Sequence, residues 1–577
     1  MKNFLFYSPV THIVYIYLIS IIVFSNSFHN AYQLDDFHTV VNNPAIRHIH
    51  PVWRHFTDPS TIGTLPGNIS YRPLLPLSLS LTYAVWGYNV VGYHMYNLFF
   101  HIGASIFLYL FFLELLTFNS ENSENKSFYR VISFFGVLLF SIHPISGFCV
   151  NYICGRDNIM MQAFLALSLY IYTKMRKSKE TPLKWAAVIF FFLLALLSKI
   201  MVLIVPFLIL EFELIMAKSS IRSWKTWARV LAFQLSVLFV WLYVRFGTII
   251  YGTTAAYMGT SPKERLYYLM TQFKMHLFYY LRNFIYPFPV RGLPDCEVVT
   301  SPADIKMIIG FIFIVFTIIA AWHMRKKLPL LSFSIAAYWT MFIPSSSIFP
   351  LFQYIADRWM YPSLPYLTLV VSLLVFRYVK NRKIAVSIVT VISLYFCITS
   401  YVMNTHWKDA ISFNSQSVKY GTNEIGYLNL GVAYLKVDSN KAKYYYEKTV
   451  KKYPRYYLAH INLGFWYINH GEKEKGLAIV KKGLDLTPRG SKSTGHYWYA
   501  KALEETGRKE EAFLHFKKSI EVNRNPNDKY FYYAGINASS TGKYKEAIEY
   551  FEKYLNINPG NEEVKKKVSD CKKFMKK

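Results

Sequence analysis

Apolar residues run in blocks along the first two-thirds of the chain. Runs long enough to cross a bilayer as helices fall near residues 10–27, 92–116, 129–147, 158–174, 183–198, 199–216, 228–246, 304–323, 329–347, 362–378 and 384–403. Short polar segments separate them, and four are dense in cations: Lys174 to Lys177, Lys218 to Arg229, Met324 to Lys327 and Arg377 to Lys383. All four fall on one side of a membrane if the N-terminus is cytoplasmic and residues 247–303 stay outside, as the excess of Lys and Arg in cytoplasmic loops requires. The pattern therefore predicts an all-α, polytopic membrane region of about eleven transmembrane helices. It also predicts two long external loops, 28–91 and 247–303, and an external C-terminus. Within those loops, the Tyr71 to Trp86 stretch reads as a helix at the membrane surface. Residues 264–288 are apolar enough to span, but Lys274, His276 and Arg282 favour an amphipathic interfacial or re-entrant segment. The first run lacks a small-x-small cleavage site and is read as a retained transmembrane helix.

Beyond residue 404 the long apolar runs end and a period of about 35 residues takes over. Gly471, Gly507 and Gly542 recur at that spacing, as do Gly476, Ala512 and Ala547, then Val480, Phe516 and Phe551. Pro454, Pro488 and Pro559 mark repeat ends, and a slightly short first repeat carries Tyr427, Leu430, Gly431 and Tyr434. A small residue where paired helices approach, a large one filling the gap and a Pro at the turn are the tetratricopeptide pattern. The chain is thus read as two domains, 1–404 in the membrane and 405–577 as an α-solenoid of about four repeats plus a terminal helix. The concave face of such a solenoid suits a polypeptide partner.

Composition sharpens this picture. Of 577 residues 53% are hydrophobic and 17% charged, and the formal net charge is +30. In a soluble protein that charge would suggest nucleic acid. Here it sits in short loops between apolar runs and in the repeats, and no zinc-finger or RNA-binding signature accompanies it, so no nucleic-acid partner is expected. The five cysteines form neither a metal-ligand pattern nor a disulfide framework.

Polar groups at the outer ends of spans carry the candidate chemistry, because charge in hydrocarbon costs several kcal/mol and marks function. The external side collects Asp35, Asp36, Arg72, His94, Asn97, His101, His143, Arg156, Asp157, Lys199, Asp357 and Arg358. Cations gathered near adjacent carboxylates at one membrane face read as a site for an anionic lipid headgroup. Each has a plainer reading. His94 and His101 share one helix face with Asn97 between them and would serve equally as interhelical hydrogen-bond groups. Arg156 and Asp157 would form a local ion pair, and Lys199 would snorkel to the interface.

The motif Leu34-Asp35-Asp36-Phe37-His38-Thr39-Val40-Val41-Asn42-Asn43-Pro44 after a first span resembles the opening of the transmembrane and tetratricopeptide-repeat O-mannosyltransferases and their bacterial relatives. Tyr71-Arg72-Pro73-Leu74, Trp86-Gly87, Tyr93-His94, His143-Pro144, Gly155-Arg156-Asp157, Ser198-Lys199 and Asp357-Arg358-Trp359-Met360-Tyr361-Pro362 continue the resemblance. Three positions depart from it: Ile200 stands where that family has Glu, and Asp357 and Trp359 stand where it has Glu and Tyr. The resemblance implies a C-type glycosyltransferase fold and transfer of a hexose, expected to be mannose, from a polyprenyl-phosphate-linked donor to a protein Ser/Thr hydroxyl with inversion. On that footing Asp35 is expected to be the base, with Asp36 sharing or orienting. Arg358, then Arg72, Arg156 and Lys199, are expected to hold the donor phosphate, with His94, Asn97, His101, His143 and Asp357 lining the site. The lipid-linked sugar acts as co-substrate and no metal is demanded. The acceptor polypeptide and membrane lipids are the other partners, and a bacterial inner membrane with a periplasmic C-terminal domain is favoured over endoplasmic reticulum. The rival readings are a non-catalytic membrane-anchored scaffold that recruits an extracytoplasmic protein, and a transporter of lipid-linked sugar.

Overall fold

The computed structural model describes residues 8–64, 71–119, 123–244, 261–288, 292–346, 351, 353–421, 423–523 and 528–575. Of the two long external loops, residues 65–70, 247–260 and 289–291 therefore lie outside the described residues. Among the described residues the regular elements are helices and there is no strand. The chain divides into two compact units, Met1–Gln416 and Ser417–Lys577.

In the first unit each apolar run becomes a helix or a short succession of helical turns. The longest are Val90–Leu116, Arg382–Asn404, Arg156–Arg176, Ser123–Ile142 and Ile305–Met324. Several begin with proline, whose missing N–H is no loss in a first turn: Pro9, Pro144, Pro182 and Pro329. Five are long and apolar enough by themselves to cross a membrane: Pro9–Ser27, Val90–Leu116, Trp224–Leu242, Ile305–Met324 and Arg382–Trp407. A sixth counts if Lys126–Ile142 and Pro144–Asn151, which meet at 52°, form one bent span. The expected count of about eleven is thus not reached by length and composition. Leu74–Trp86, Pro182–Ser198 and Leu364–Tyr378 are apolar but shorter.

The core of this unit is continuous and rich in rings and branched chains, with Leu108, Phe112, Leu139, Leu165, Phe192 and Leu369 fully or almost fully buried. Outward faces are apolar too: Phe316, Val391 and Ile398 are each about two-thirds exposed, as lipid-facing positions should be. Two of the cationic clusters expected on one membrane side meet, since Arg176 and Arg229 both pair with the buried Glu213 at 2.7 and 3.2 Å. In the 264–288 stretch Lys274 and His276, expected on a polar face, are buried instead. Tyr268, Met270, Tyr280 and Phe284 point into the unit, while Leu266, Phe278 and Ile285 are exposed. The unit runs past the expected 404–405 junction because Trp407 and Phe413 pack with Phe148, Tyr152 and Cys154.

The second unit is built of antiparallel helix pairs: Glu424–Tyr434 with Ser439–Lys452, Tyr457–Asn469 with Lys473–Leu486, Lys492–Glu505 with Lys509–Glu521, and Asp528–Ser540 with Tyr544–Ile557. Glu562–Met575 closes it. The periodic glycines Gly471, Gly507 and Gly542 sit in the inter-helix turns at φ of +89, +89 and +76°, a region that residues with a Cβ enter only at a cost. The large residues fill the space above small ones on the facing helix, Val480 over Gly464 and Phe551 over Gly535.

Candidate active site

Leu34 turns the chain toward the site by adopting a left-handed backbone (φ +53°), a conformation that costs a non-glycine residue about 1 kcal/mol. The turn that follows points the two aspartates in different directions. Asp36 is fully buried. Its Oδ2 accepts from the Gln33 N–H at 3.1 Å and its Oδ1 from the Cys154 N–H at 2.9 Å. Burial pushes its carboxyl up to about 6 against the pull of those bonds, and the neighbouring Asp35 charge adds to the rise. Asp35 is half-exposed, with 53% of its side chain accessible. Its Oδ2 accepts from the Tyr152 hydroxyl at 2.7 Å, and its Oδ1 lies 3.3 Å from His38 Nε2. Partial burial opposes ionisation, but the bonds from His38 and Tyr152 and the charges of His38 and Arg358 outweigh it and hold the carboxyl at about 2. The expectation that Asp36 shares the base role is corrected here: both its oxygens are spent on backbone N–H groups and none reaches solvent.

Asp36 has a consequence for stability. A carboxyl whose folded value lies above its unfolded 3.8 stabilises the fold fully below pH 3.8 and loses that contribution as pH rises through about 6. Chemical unfolding at several pH values should show the Asp36→Asn variant gaining on the natural protein between these limits, with a constant difference above them.

Two cations gather at Asp157, and a third, Arg358, acts on both Lys199 and Asp35. Arg72 Nη1 and Lys199 Nζ both meet Asp157 Oδ2, at 2.7 and 3.1 Å, and Asp157 is almost fully buried. Arg358 donates from Nη2 to Gln353 Oε1 at 3.0 Å, is partly open, and its charge acts on both Asp35 and Lys199. Arg72 and Lys199 share a single carboxylate, which leaves positive charge beside Arg358 for an incoming anion. Ile200, where a carboxylate was expected, is 45% exposed, and the carboxylate that Lys199 meets is Asp157 instead.

Arg156 does not join them. Its guanidinium is buried and donates to Asn97 Oδ1 (2.8 Å), Ser78 O (3.1 Å), Thr82 Oγ1 (2.8 Å) and Tyr93 O (3.0 Å). The expected phosphate contact is corrected to a scaffold role, because these donors already have partners inside the protein. Arg156→Met should therefore leave four buried acceptors short of a partner and cost about 3 kcal/mol or more. A thermal midpoint in detergent would fall, with the donor KM of the folded fraction unchanged.

The residues expected to line the site are likewise braced inside the protein. His94 Nε2 donates to Asn30 O at 2.9 Å. His101 Nε2 donates to Ser141 O and its Nδ1 accepts from the Tyr361 hydroxyl, each at 2.8 Å. His143 caps the bent helix by accepting from the Ile145 N–H at 3.1 Å and donates to Phe284 O at 3.1 Å. These are internal bonds of the plainer kind expected of His94 and His101, and with all three rings fully buried they take the histidines out of the site lining. Asn97 donates to the carbonyls of Val150, Tyr152 and Ile153 (3.3, 3.0 and 3.4 Å), so Arg156 and Asn97 together hold the segment that presents Tyr152 to Asp35. Asp357 accepts from Tyr279 Oη and Asn283 Nδ2 at 2.8 and 3.1 Å, which anchors the turn that carries Arg358.

Sequence reasoning missed Tyr152 and His38 as partners of Asp35. His38 had a signal, since it follows Asp35 by three residues in a helical turn. Tyr152 had none, because 117 residues separate the pair. Asp157 stands among the external polar groups with Arg156 as its expected partner, whereas Arg72 and Lys199 meet it.

The chain is a helical protein with candidate membrane spans and a C-terminal tetratricopeptide-repeat unit. Residues 426–456, 494–526 and 528–561 each match tetratricopeptide-repeat families. The chain is similar to curated protein O-mannosyl-transferases. It is 28% identical over 162 residues to human Protein O-mannosyl-transferase TMTC4, a match covering 27% of this chain and 22% of the relative. It is 26% identical over 162 residues to Protein O-mannosyl-transferase F38B6.6 of Caenorhabditis elegans, covering 28% and 22%. The match thus spans less than a quarter of these relatives' length. Among solved structures, the Archaeoglobus fulgidus oligosaccharyltransferase aligns with a TM-score of 0.39 and 13% identity over 76% of this chain and 58% of that one.

Proposed function

We propose that the protein is an integral membrane glycosyltransferase that moves a hexose, mannose, from a polyprenyl-phosphate donor to a Ser/Thr hydroxyl of a polypeptide on the external face. The observation that carries this reading is Asp35, an ionised, half-exposed carboxylate held at two points beside Arg358, with Arg72 and Lys199 close by. A Ser/Thr hydroxyl is a weak nucleophile and gains from a fixed carboxylate within hydrogen-bond reach. The leaving group is a phosphate, which needs charge stabilisation more than a proton, and the three cations supply it. One base and one displacement invert the anomeric carbon with no covalent sugar–enzyme intermediate. The tetratricopeptide unit supports a polypeptide acceptor, and the named relatives are protein O-mannosyl-transferases.

Purified protein in vesicles, given radiolabelled polyprenyl-phosphate mannose and a Ser/Thr peptide, tests this against the rival readings. Label on the peptide supports a transferase. Peptide binding without transfer supports a scaffold, and labelled lipid crossing the bilayer supports a transporter.

A further inference from the structure

A second concave surface lies on the membrane unit, away from the aspartates. Val205–Glu211 and Trp224–Leu242 pack as a hairpin, and Arg229 in the second helix meets Glu213 just beyond the first at 3.2 Å. Between them runs a groove of about 840 Å³, walled by Pro206, Phe207 and Leu210 on one side and by Trp227 and Leu231 on the other. Phe207 and Leu231 are more than half exposed. The groove follows the second helix from Trp224 to Gln234, about 15 Å at the helical rise. That is half the hydrocarbon thickness of a bilayer, the depth of one leaflet.

The mouth of the groove is cationic. Arg222 lines it, and Lys218 and Lys225 are exposed on either side of it in the chain. Arg176 and Arg229 pair with Glu180 and Glu213, but among the described residues no carboxylate pairs with Lys218, Arg222 or Lys225. The turn that carries Arg222 is fixed. The Arg222 N–H donates to Ser220 Oγ at 3.2 Å, Thr226 Oγ1 to Ser220 O at 3.0 Å and Trp227 Nε1 to Ile221 O at 2.7 Å. Trp224 and Trp227 stand exposed at the same end, and indole rings favour the level of lipid headgroups.

We propose that this groove binds an anionic phospholipid of a single leaflet, with its acyl chains between the two helices and its phosphate on Arg222. The cations select the headgroup, and the depth of the groove selects the chain. A polyprenyl donor held at the candidate active site does not fit the same place. Glu180, which Arg229 meets at 2.6 Å, precedes the start of helix Pro182–Ser198, and Lys199 follows its end, about 25 Å away. A lipid whose phosphate sits by Lys199 therefore leaves Arg222 unmet.

The test uses full-length protein stripped of lipid in detergent. Native mass spectrometry follows its titration with phosphatidylglycerol, phosphatidylcholine of the same chains, glycerol phosphate and polyprenyl phosphate. One phosphatidylglycerol should bind about tenfold or more tighter than phosphatidylcholine, and glycerol phosphate should not bind. Arg222→Gln should cut the preference for the anionic lipid about fivefold. Leu231→Trp, which fills the groove from an exposed position, should weaken both phospholipids, and thermal midpoints check that both variants fold. Equal affinity for the two phospholipids, an unchanged preference in Arg222→Gln or full binding in Leu231→Trp would overturn the proposal. So would glycerol phosphate binding as tightly as the lipid, polyprenyl phosphate displacing phosphatidylglycerol, or a dimer that forms in place of lipid binding and is lost in Leu231→Trp.

Discussion

Asp35→Asn is expected to abolish sugar transfer, with a loss of at least about 100-fold in kcat, the contribution of a positioned base. The substitution keeps size and keeps an oxygen able to accept from the Tyr152 hydroxyl, so the turn has no reason to unfold. It removes the one group in the site that is ionised, open to solvent and fixed by two partners. Donor binding should survive, because the cations that attract the phosphate are untouched. Asp36→Asn makes the control. Its carboxylate is enclosed and bonded to the N–H groups of Gln33 and Cys154, so its loss should register in the pH dependence of stability before it registers in the chemistry. Initial rates on labelled donor and peptide, with thermal midpoints for both variants, separate the two roles. Equal loss of activity with equal loss of stability would leave Asp35 no special place.

The second large effect is expected at Arg358. Arg358→Ala should lower kcat by about 100-fold or more, the typical cost of removing a group aimed at developing charge in a dry site. Arg72 and Lys199 already share Asp157, which tempers their attraction for a further anion, whereas Arg358 meets the neutral amide of Gln353. Arg72→Ala should therefore cost less than Arg358→Ala. Arg358→Lys should recover part of the rate, since it restores the charge without the planar fork. Steady-state kcat and donor KM for the three variants check this ranking, and Arg72→Ala proving the more damaging would reverse it.

Much of the fold was legible in the sequence because it rests on local pattern. The apolar runs became helices, and the periodic glycines of the repeats fell in turns that need a positive φ. The junction between units was misplaced because Trp407 and Phe413, polar-flanked and past the last apolar run, are recruited by an aromatic cluster far away in the chain. The site was legible in its residue types more than in their roles. Charge and position brought out Asp35, Arg72, Lys199 and Arg358, which the fold places near one another. The same signal brought out Arg156, His94, His101 and His143, which brace helices. Sequence shows that a polar group is buried, but not whether its partner is a ligand or a neighbouring carbonyl. That choice depends on distant backbone, as when Arg156 finds the carbonyls of Ser78 and Tyr93.

The most direct measurement is the fate and geometry of the sugar. Purified full-length protein is incubated with labelled polyprenyl-phosphate mannose and a Ser/Thr peptide, and the glycopeptide is examined by NMR for its anomeric configuration. Label joined to the hydroxyl with configuration opposite to the donor is the expected result, as a single displacement by a hydroxyl held on Asp35 requires. Label that stays on the lipid, or a product that retains the donor configuration, would contradict it.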